Sequence, residues 1–374
     1  YSISQETKDK LGNMDKDVTI TLINYSDYLS VISFAERYVE LNNHIKIEKV
    51  DNLSARADLM QKYSLNANDN LIIISCGENE KTLTEEEMYT FDETTYEQID
   101  ITEEAITNAI VNVMAEEKAK IYFMSSHTMY NVELFGSIID KMKNEVNEVE
   151  NLDILANGSI PEDCDCLIIS TLKEDITEME KDKIIEYIRN GGKLLLMCGP
   201  NVEKVNLSNF QAVLDEYAIT IENGIVLEGS SANMVSGYPN FIIEDMEVGT
   251  SLTRNLNQKL SICLPDAGKI TFNEERLEEL GIENEILLTT TEKGFLRTNL
   301  NQPSATRTEE DSIQEECILG AVATKKIDEE RTSKLVIFAN ELFAMNMPVQ
   351  MNGYTMYTAN LYNNSDAVLN AIAY

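Results

Sequence analysis

Tryptophan is absent from this chain, and histidine occurs twice, at His44 and His127. Any mechanism that needs an imidazole base must use one of these two residues. Positive charge is also scarce: 30 Lys and Arg stand against 65 Asp and Glu, a net charge of −35. Nucleic-acid binding and docking on anionic lipid both depend on cationic contacts to phosphate, so neither partner is expected. Glycine and proline number 16 and 6, too few for a low-complexity protein. No apolar run approaches the roughly 18 residues that a spanning helix needs. No signal-peptide pattern opens the chain. It begins with Tyr1 rather than Met, which leads us to expect a processed or truncated product whose membrane anchor lies outside this sequence.

What is present is a globular composition. The chain has 374 residues and is 43% hydrophobic, enough for two or three domains with real cores. The most informative stretch runs from Ile160 to Pro200. Cys166-Leu167-Ile168-Ile169-Ser170 reads as a buried strand. Thr177, with Glu180 three residues on, forms a capping box that opens an amphipathic helix. Gly191 stands where a helix end needs positive φ. Lys193-Leu194-Leu195-Leu196-Met197 is a second buried strand, ending at Cys198-Gly199-Pro200. This is one β-α-β unit, so a parallel sheet is expected.

Upstream, residues 17–91 alternate strand and helix patterns in the order β-α-β-α-β-β, the order of a small thioredoxin-like α/β domain. We expect this domain to span 1–96. A helix from Thr102 to about Glu117, capped by Thr102, then opens a second domain, 97–374. Strands are expected at 120–124 and 151–155, a helix at 132–146, and the β-α-β unit after them. Repeated strand-helix pairs predict a doubly wound parallel sheet. Residues 230–268 lose this regularity and read as an insertion. Residues 299–316 read as loop, 317–325 and 333–339 as strands, and 357–374 as a closing helix.

Chemistry is sparse. The six cysteines show no disulfide spacing. Cys164-Asp165-Cys166 is half a zinc site at most. No phosphate-binding loop and no calcium loop occurs, so no metal and no cofactor is expected. Asn24-Tyr25-Ser26-Asp27-Tyr28, where a redox thioredoxin would carry Cys-x-x-Cys, contains no thiol. The remaining nucleophile is Cys198, at a strand end before Gly199, with His127 as the one base available in that domain. Its surroundings are Met197-Cys198-Gly199-Pro200 rather than Gly-x-Cys-x-Gly, and loop rather than helix follows. Ser125-Ser126-His127-Thr128 also suits a simple turn that caps the next helix.

Several segments together resemble a known family. They are Tyr1-Ser2-Ile3-Ser4 with Leu11, Asp17-Val18-Thr19-Ile20, Glu97-Gln98 with Ile101-Thr102 and Ala105-Ile106, and Lys120-Ile121-Tyr122-Phe123. Ile160 to Asp165, Tyr187 to Leu195, and Leu335 to Asn340 with Phe343 complete the set. In order and spacing they resemble the extracytoplasmic region of ABC-transporter auxiliary proteins, the group that includes gliding-motility-associated transporter components. The resemblance implies a thioredoxin-like first domain without redox chemistry. It also implies a second domain similar to class I glutamine amidotransferases, flavodoxin-like in its sheet and without catalysis. The family's Gly-His-Gly-Glu turn is here Ser126-His127-Thr128, with the histidine alone retained. Membrane spans in relatives lie outside this region.

The expected function is a non-catalytic module of a membrane-anchored ABC transport system on the extracytoplasmic face of a bacterial cell membrane. Its partners would be the permease and ATPase subunits, and an extracellular polymer or small molecule. The alternatives are an amidotransferase-like or hydrolytic enzyme using Cys198 with His127, and a solute-binding protein with an interdomain cleft.

Overall fold

The computed structural model describes residues 2–91, 97–254, 256, 259–351 and 353–374. They form two compact units: residues 1–118 with 143–147, and residues 119–142 with 148–374.

The first unit contains α1 (Gln5–Leu11), β1 (Val18–Ile23), α2 (Leu29–Leu41), β2 (Ile45–Val50), α3 (Ala57–Tyr63), β3 (Leu71–Cys76) and β4 (Asn79–Leu83). The short pair β5 (Tyr89–Phe91) and β6 (Gln98–Asp100) precedes α4 (Thr102–Val113). The main sheet has the order β2-β1-β3-β4. β1 and β2 are parallel, whereas β3 runs antiparallel to β1 and β4 antiparallel to β3. Ile20, Leu22, Ile72 and Ile74 share one core with Ile106, Ala109, Ile110 and Val113 of α4. A buried hydroxyl chain ties the helices together: Thr7 Oγ1 lies 3.0 Å from Thr107 Oγ1, which lies 2.9 Å from the Tyr38 hydroxyl. The sequence reading closes the first domain at 96, inside the undescribed residues 92–96, and gives α4 to the second. The helix instead packs on the first sheet. It also ends earlier than expected, and Thr102 does not cap it: the Thr102 N–H donates to Asp100 Oδ1 at 2.9 Å.

The second unit begins with β7 (Ala119–Met124), α5 (Gly136–Asn144), β8 (Asn147–Leu152), α6 (Ile154–Asn157), β9 (Cys166–Ser170), α7 (Glu178–Arg189), β10 (Lys193–Met197) and α8 (Ser208–Asp215). It continues with β11 (Ile219–Ile221), β12 (Ile225–Leu227), β13 (Met234–Val235), β14 (Tyr238–Asp245), β15 (Ser261–Pro265), β16 (Ile270–Phe272), α9 (Glu274–Leu280) and β17 (Ile282–Thr289). β18 (Phe295–Arg297), β19 (Ile318–Lys326), β20 (Thr332–Phe338), β21 (Pro348–Met351), β22 (Tyr354–Tyr357) and α10 (Asn364–Ala373) complete it.

Its main sheet has the order β11-β16-β19-β20-β10-β9-β7-β8, with β17 also paired to β19. β7, β9, β10 and β20 run parallel, while β19 turns antiparallel to β20. Strand residues alternate between two cores, as the period of two requires. Phe123, Ile168, Leu195 and Phe338 meet Phe135, Ile138 and Met142 from the α5 side, and Val368 and Ala371 of α10. Met124, Ile169, Leu196 and Ile337 meet Ile184 and Ile188 of α7, and Phe210 and Val213 of α8. Helices thus cover both faces of the parallel strands.

The β-α-β expectation holds in detail. Thr177 and Glu180 form the reciprocal capping box, and Gly191 has φ +88°. Other expectations are corrected. The strand expected at 151–155 ends at Leu152, because Asp153 caps α6 by accepting from the Ala156 N–H at 3.1 Å. Residues 230–268 are not merely irregular: β13, β14 and β15 make a three-stranded antiparallel sheet. The closing helix begins at Asn364, and Tyr357 belongs to the β21–β22 hairpin. The polar stretch 299–316 is indeed loop, held from inside by a buried Arg297–Asp311 pair with bonds of 2.9 and 2.8 Å. That guanidinium holds the Asp311 carboxyl down to about 2.

Gly192 makes a tight packing point. A Cβ there would lie 2.5 Å from the Tyr187 ring, whose hydroxyl accepts from Lys193 N–H and donates to Lys193 O. Gly192→Ala should therefore cost about 1–3 kcal/mol, as overpacking does. The measurement is the urea midpoint, and an unchanged midpoint would count against this packing.

Candidate site at the carboxyl edge of the parallel strands

Chain order reverses between β7 and β9, because β8 lies on the far side of β7. In open α/β sheets such a reversal opens a crevice outside the carboxyl ends of the strands. The segments leaving β7 and β9 are zipped together there. Met129 N–H donates to Thr171 O at 2.7 Å, Lys173 N–H donates to His127 O at 2.9 Å, and Thr128 bridges Leu172.

Polar side chains collect at this edge from several loops. Glu341, three residues beyond β20, is 5% exposed and accepts from the Thr171 hydroxyl. That hydroxyl accepts in turn from Gly199 N–H at 2.8 Å. Asn340 donates to Asp266 O at 3.0 Å, and Asn240 donates to Asp266 Oδ1 at 2.8 Å. A Cβ on Gly199 would lie 3.2 Å from Glu341 Oε2, so the backbone approaches this carboxyl closely. Burial raises the Glu341 carboxyl above its usual range, and Asp266 adds to the shift. Burial also raises the Tyr130 hydroxyl, with Glu341 and Asp266 contributing. Glu341, Tyr130, Asn340 and Asp266 thus bring hydrogen-bonding groups from different loops to one sheet edge, and together can orient a polar ligand. Sequence reasoning missed this cluster. Its one signal was Asn340-Glu341 directly after an apolar strand.

The two residues singled out from the sequence lie apart from it in role. Cys198 sits in the α7/α8 core, 1% exposed, with its thiol donating to Ile169 O at 3.4 Å. Burial pushes that thiol well above its usual range, with Glu341 adding to the effect. His127 does not cap a helix; Asn131 does that. The His127 backbone has φ +61°, a costly conformation for a non-glycine residue. Its Nε2 lies 2.9 Å from the fully buried Glu180, and its Nδ1 lies 3.1 Å from Glu174. Glu180 also accepts from the Thr177 N–H at 2.8 Å and the Thr177 hydroxyl at 2.9 Å. One carboxylate thus closes the α7 cap and anchors the imidazole. No hydrogen bond joins Cys198 to His127 among the described residues.

The remaining candidates scatter. Cys164 borders the α7/α8 core whereas Cys166 enters the opposite one, so they do not share a face as a ligand pair must. Among the described residues no cluster of three or more His, Cys, Asp or Glu can hold a metal ion. His44 pairs with Asp17 at 2.8 Å on the surface. Tyr25 is buried and packs edge-on against the exposed Tyr28 at 5.4 Å. A cavity of about 440 Å³ lies at the amino edge of the sheet, lined by Ile160, Glu162, Cys164, Lys183, Tyr187 and Asn190.

A second carboxyl pair stands elsewhere in this unit. Buried Glu228 accepts from Gly229 N–H at 2.8 Å, Ser230 N–H at 2.9 Å, and Thr291 N–H and hydroxyl at 3.0 and 2.6 Å. Glu244 on β14 faces it. Asn233 donates to Glu244 Oε2 at 3.1 Å, while no donor reaches its buried Oε1. Burial first, and Glu228 next, push the Glu244 carboxyl up to about 8. Holding a proton lets Glu244 supply the donor that two carboxylates lack.

The ABC-type uncharacterized transport system family, a family of ABC-transporter auxiliary proteins, matches residues 118–371. The chain belongs to this family. Membership assigns it to ABC-type transport as an auxiliary component, with transporter subunits as partners. No curated protein sequence matches the chain. Among solved structures, the N-terminal domain of mmIFT52 is similar over 66% of this chain and 93% of its own, at 15% identity and a TM-score of 0.47. A putative ThuA-like protein from Bacteroides uniformis is similar over 60% of this chain and 84% of its own, at 11% identity and a TM-score of 0.35.

Two outcomes are expected from this chemistry. In native protein at neutral pH, iodoacetamide should leave Cys198 unmodified until unfolding. Fast labelling that slows in His127→Ala would instead reveal an activated pair. For Glu244, an unfolded glutamate titrates near about 4.3, while the folded carboxyl holds its proton to about 8. Its stabilising contribution is full below the lower value and is lost as pH rises to the upper one. Glu244→Gln, which mimics the protonated acid, should flatten this part of the stability profile in urea titrations. An equal slope in both proteins would refute the shared proton.

Proposed function

We propose that this chain is the extracytoplasmic, non-catalytic part of a membrane-anchored auxiliary component of an ABC transport system. It binds a partner or substrate outside the cell through the carboxyl edge of its parallel strands. The observation that carries this reading is the division of roles at that edge. Polar groups from several loops gather around Glu341, while the thiol of Cys198 is sealed in the core one residue short of that edge and held protonated. His127 is spent on Glu180 and Glu174 rather than on a nucleophile.

The finer fold assignment belongs to the same reading. The order β2-β1-β3-β4 with one parallel pair, completed by α4, supports a thioredoxin-like first unit. Its β1–α2 connection, Asn24 to Tyr28, lacks the thiols of redox relatives. In the second unit the order β8-β7-β9-β10-β20 is second, first, third, fourth, fifth along the chain if the antiparallel strands between β10 and β20 are set aside. That order supports a flavodoxin-like, glutamine amidotransferase-like layer. Among the described residues no helix is long and apolar enough to cross a membrane.

The test is to tag the full-length gene product in its native cell and solubilise the membranes in detergent. An ABC permease and its ATPase should co-purify, and protease added outside the inner membrane should cleave this region. Recovery without either subunit would overturn the partner assignment, and full protection from protease would overturn the placement.

A further inference from the structure

A quarter of this chain is charged, yet residues 229–243 and 342–365 contain no Asp, Glu, Lys or Arg. The fold brings these two stretches together. A groove of about 250 Å³ runs between the β13–β14 hairpin and the β21–β22 hairpin, lined by Val235, Tyr238, Phe241, Val349, Met351 and Leu361. Around it stand Tyr354 at 74% exposure and Tyr238 at 62%, with Met356, Tyr357 and Tyr362 also exposed. Loss of charge together with enrichment in Tyr and Met is the composition of a protein–protein interface core.

The backbone at this face is also unpartnered. β21 and β22 pair with each other and with no other strand among the described residues. β21 lines the groove, whereas every residue of β22 is exposed, so β22 is the outer edge. The hydrogen-bond phase follows from two facts. Thr358 N–H donates to Met347 O at 2.9 Å, and Pro348, which has no N–H, lies opposite Tyr357. Bonded and non-bonded pairs alternate in an antiparallel ladder. Thr355 and Tyr357 therefore turn their N–H and C=O groups away from β21. Natural edge strands are commonly blunted by Lys, Pro or a bulge, and Tyr354-Thr355-Met356-Tyr357 carries none of these.

We propose that this charge-free face is a self-association surface, through which two copies of the chain pair antiparallel along β22, extending each hairpin into one four-stranded sheet. The electrostatics select the occupant. Two chains of net charge −35 repel each other over most approaches. No carboxylate lines the groove or stands on β22, although Lys141 reaches Asn360 and Asp366 bonds Asn363 at its border, so copies can meet there with less repulsion. Antiparallel pairing of one strand with itself is isologous, as a two-fold dimer requires, and each edge satisfies the other's outward amides.

Sedimentation equilibrium over a wide range of protein concentration tests this. Wild type should shift from monomer to dimer mass, and added salt should favour the dimer by screening the like charges. Tyr354→Glu and Thr355→Pro should each hold the protein monomeric while leaving its circular dichroism and melting midpoint near wild type. Tyr28→Glu, in the other unit, should still dimerise. Wild type that stays monomeric at every concentration would overturn the proposal, and so would a dimer that survives both variants. The same holds for a monomer that binds a neutral oligosaccharide on this face in place of a second copy.

Discussion

Strands covered by helices on both faces cannot carry polar side chains along their length, so polarity is displaced to their ends. The rest of the second unit depends on this constraint. β9 and β10 are apolar at nearly every position, and the hydroxyl of Ser170, at the last residue of β9, is buried with no hydrogen-bond partner. One residue separates core from edge. Cys198 still lies under the helices, whereas Gly199 is where Thr171, Asn340 and Glu341 converge. A cysteine one position further on would meet those groups. At its actual position it is a packing residue with a weak donor.

The legible parts of the fold were those written in local sequence. The switch from period two to period 3.6 marked the unit from Ile160 to Pro200, and Thr177, Glu180 and Gly191 marked its joints. What stayed hidden rests on contacts between residues far apart in the chain. Glu180 is recognisable as a capping residue, but nothing near it announces His127. Glu341 gains meaning from Thr171 and Gly199, which other strands deliver. The placement of α4 rests on its apolar face meeting β1 and β3, with the Thr7–Thr107–Tyr38 hydroxyl chain joining it to two other helices. The β21–β22 hairpin was legible and was passed over. Asn352-Gly353 stands between its two short strands, the commonest two-residue hairpin signal, and Gly353 has the positive φ, +82°, that such a turn requires.

Shortage of cations sets how buried carboxylates are treated. Asp311 has a guanidinium to itself and is held strongly acidic. Glu216 has Arg189 at 2.6 Å and also Lys325, and their bonds outweigh the burial that would raise it. The others must use neutral donors or a proton. Glu228 collects backbone amides and a threonine, Glu180 collects Thr177 and His127, and Glu244 and Glu341 lie on the side where burial favours the protonated form. Carboxyls raised by burial therefore follow from the composition of this chain as much as from its sites. The Glu341 cluster sets such a carboxyl at a sheet edge where several loops converge.

The same imbalance bears on association. An excess of carboxylates spread over a surface keeps copies and other acidic proteins away, and salt shortens the range of that repulsion without removing it at contact. A protein that must work within an assembly therefore needs faces from which the charge has been withdrawn. Two separate stretches of this chain omit charge and converge on one groove beside an open strand edge. Solubility alone does not call for such a face, since exposed tyrosines on an unguarded edge work against it. The cost makes sense if the edge is covered in the working protein. The carboxyl edge around Glu341 and the hairpin edge around Tyr354 would then serve different contacts, one polar and one apolar.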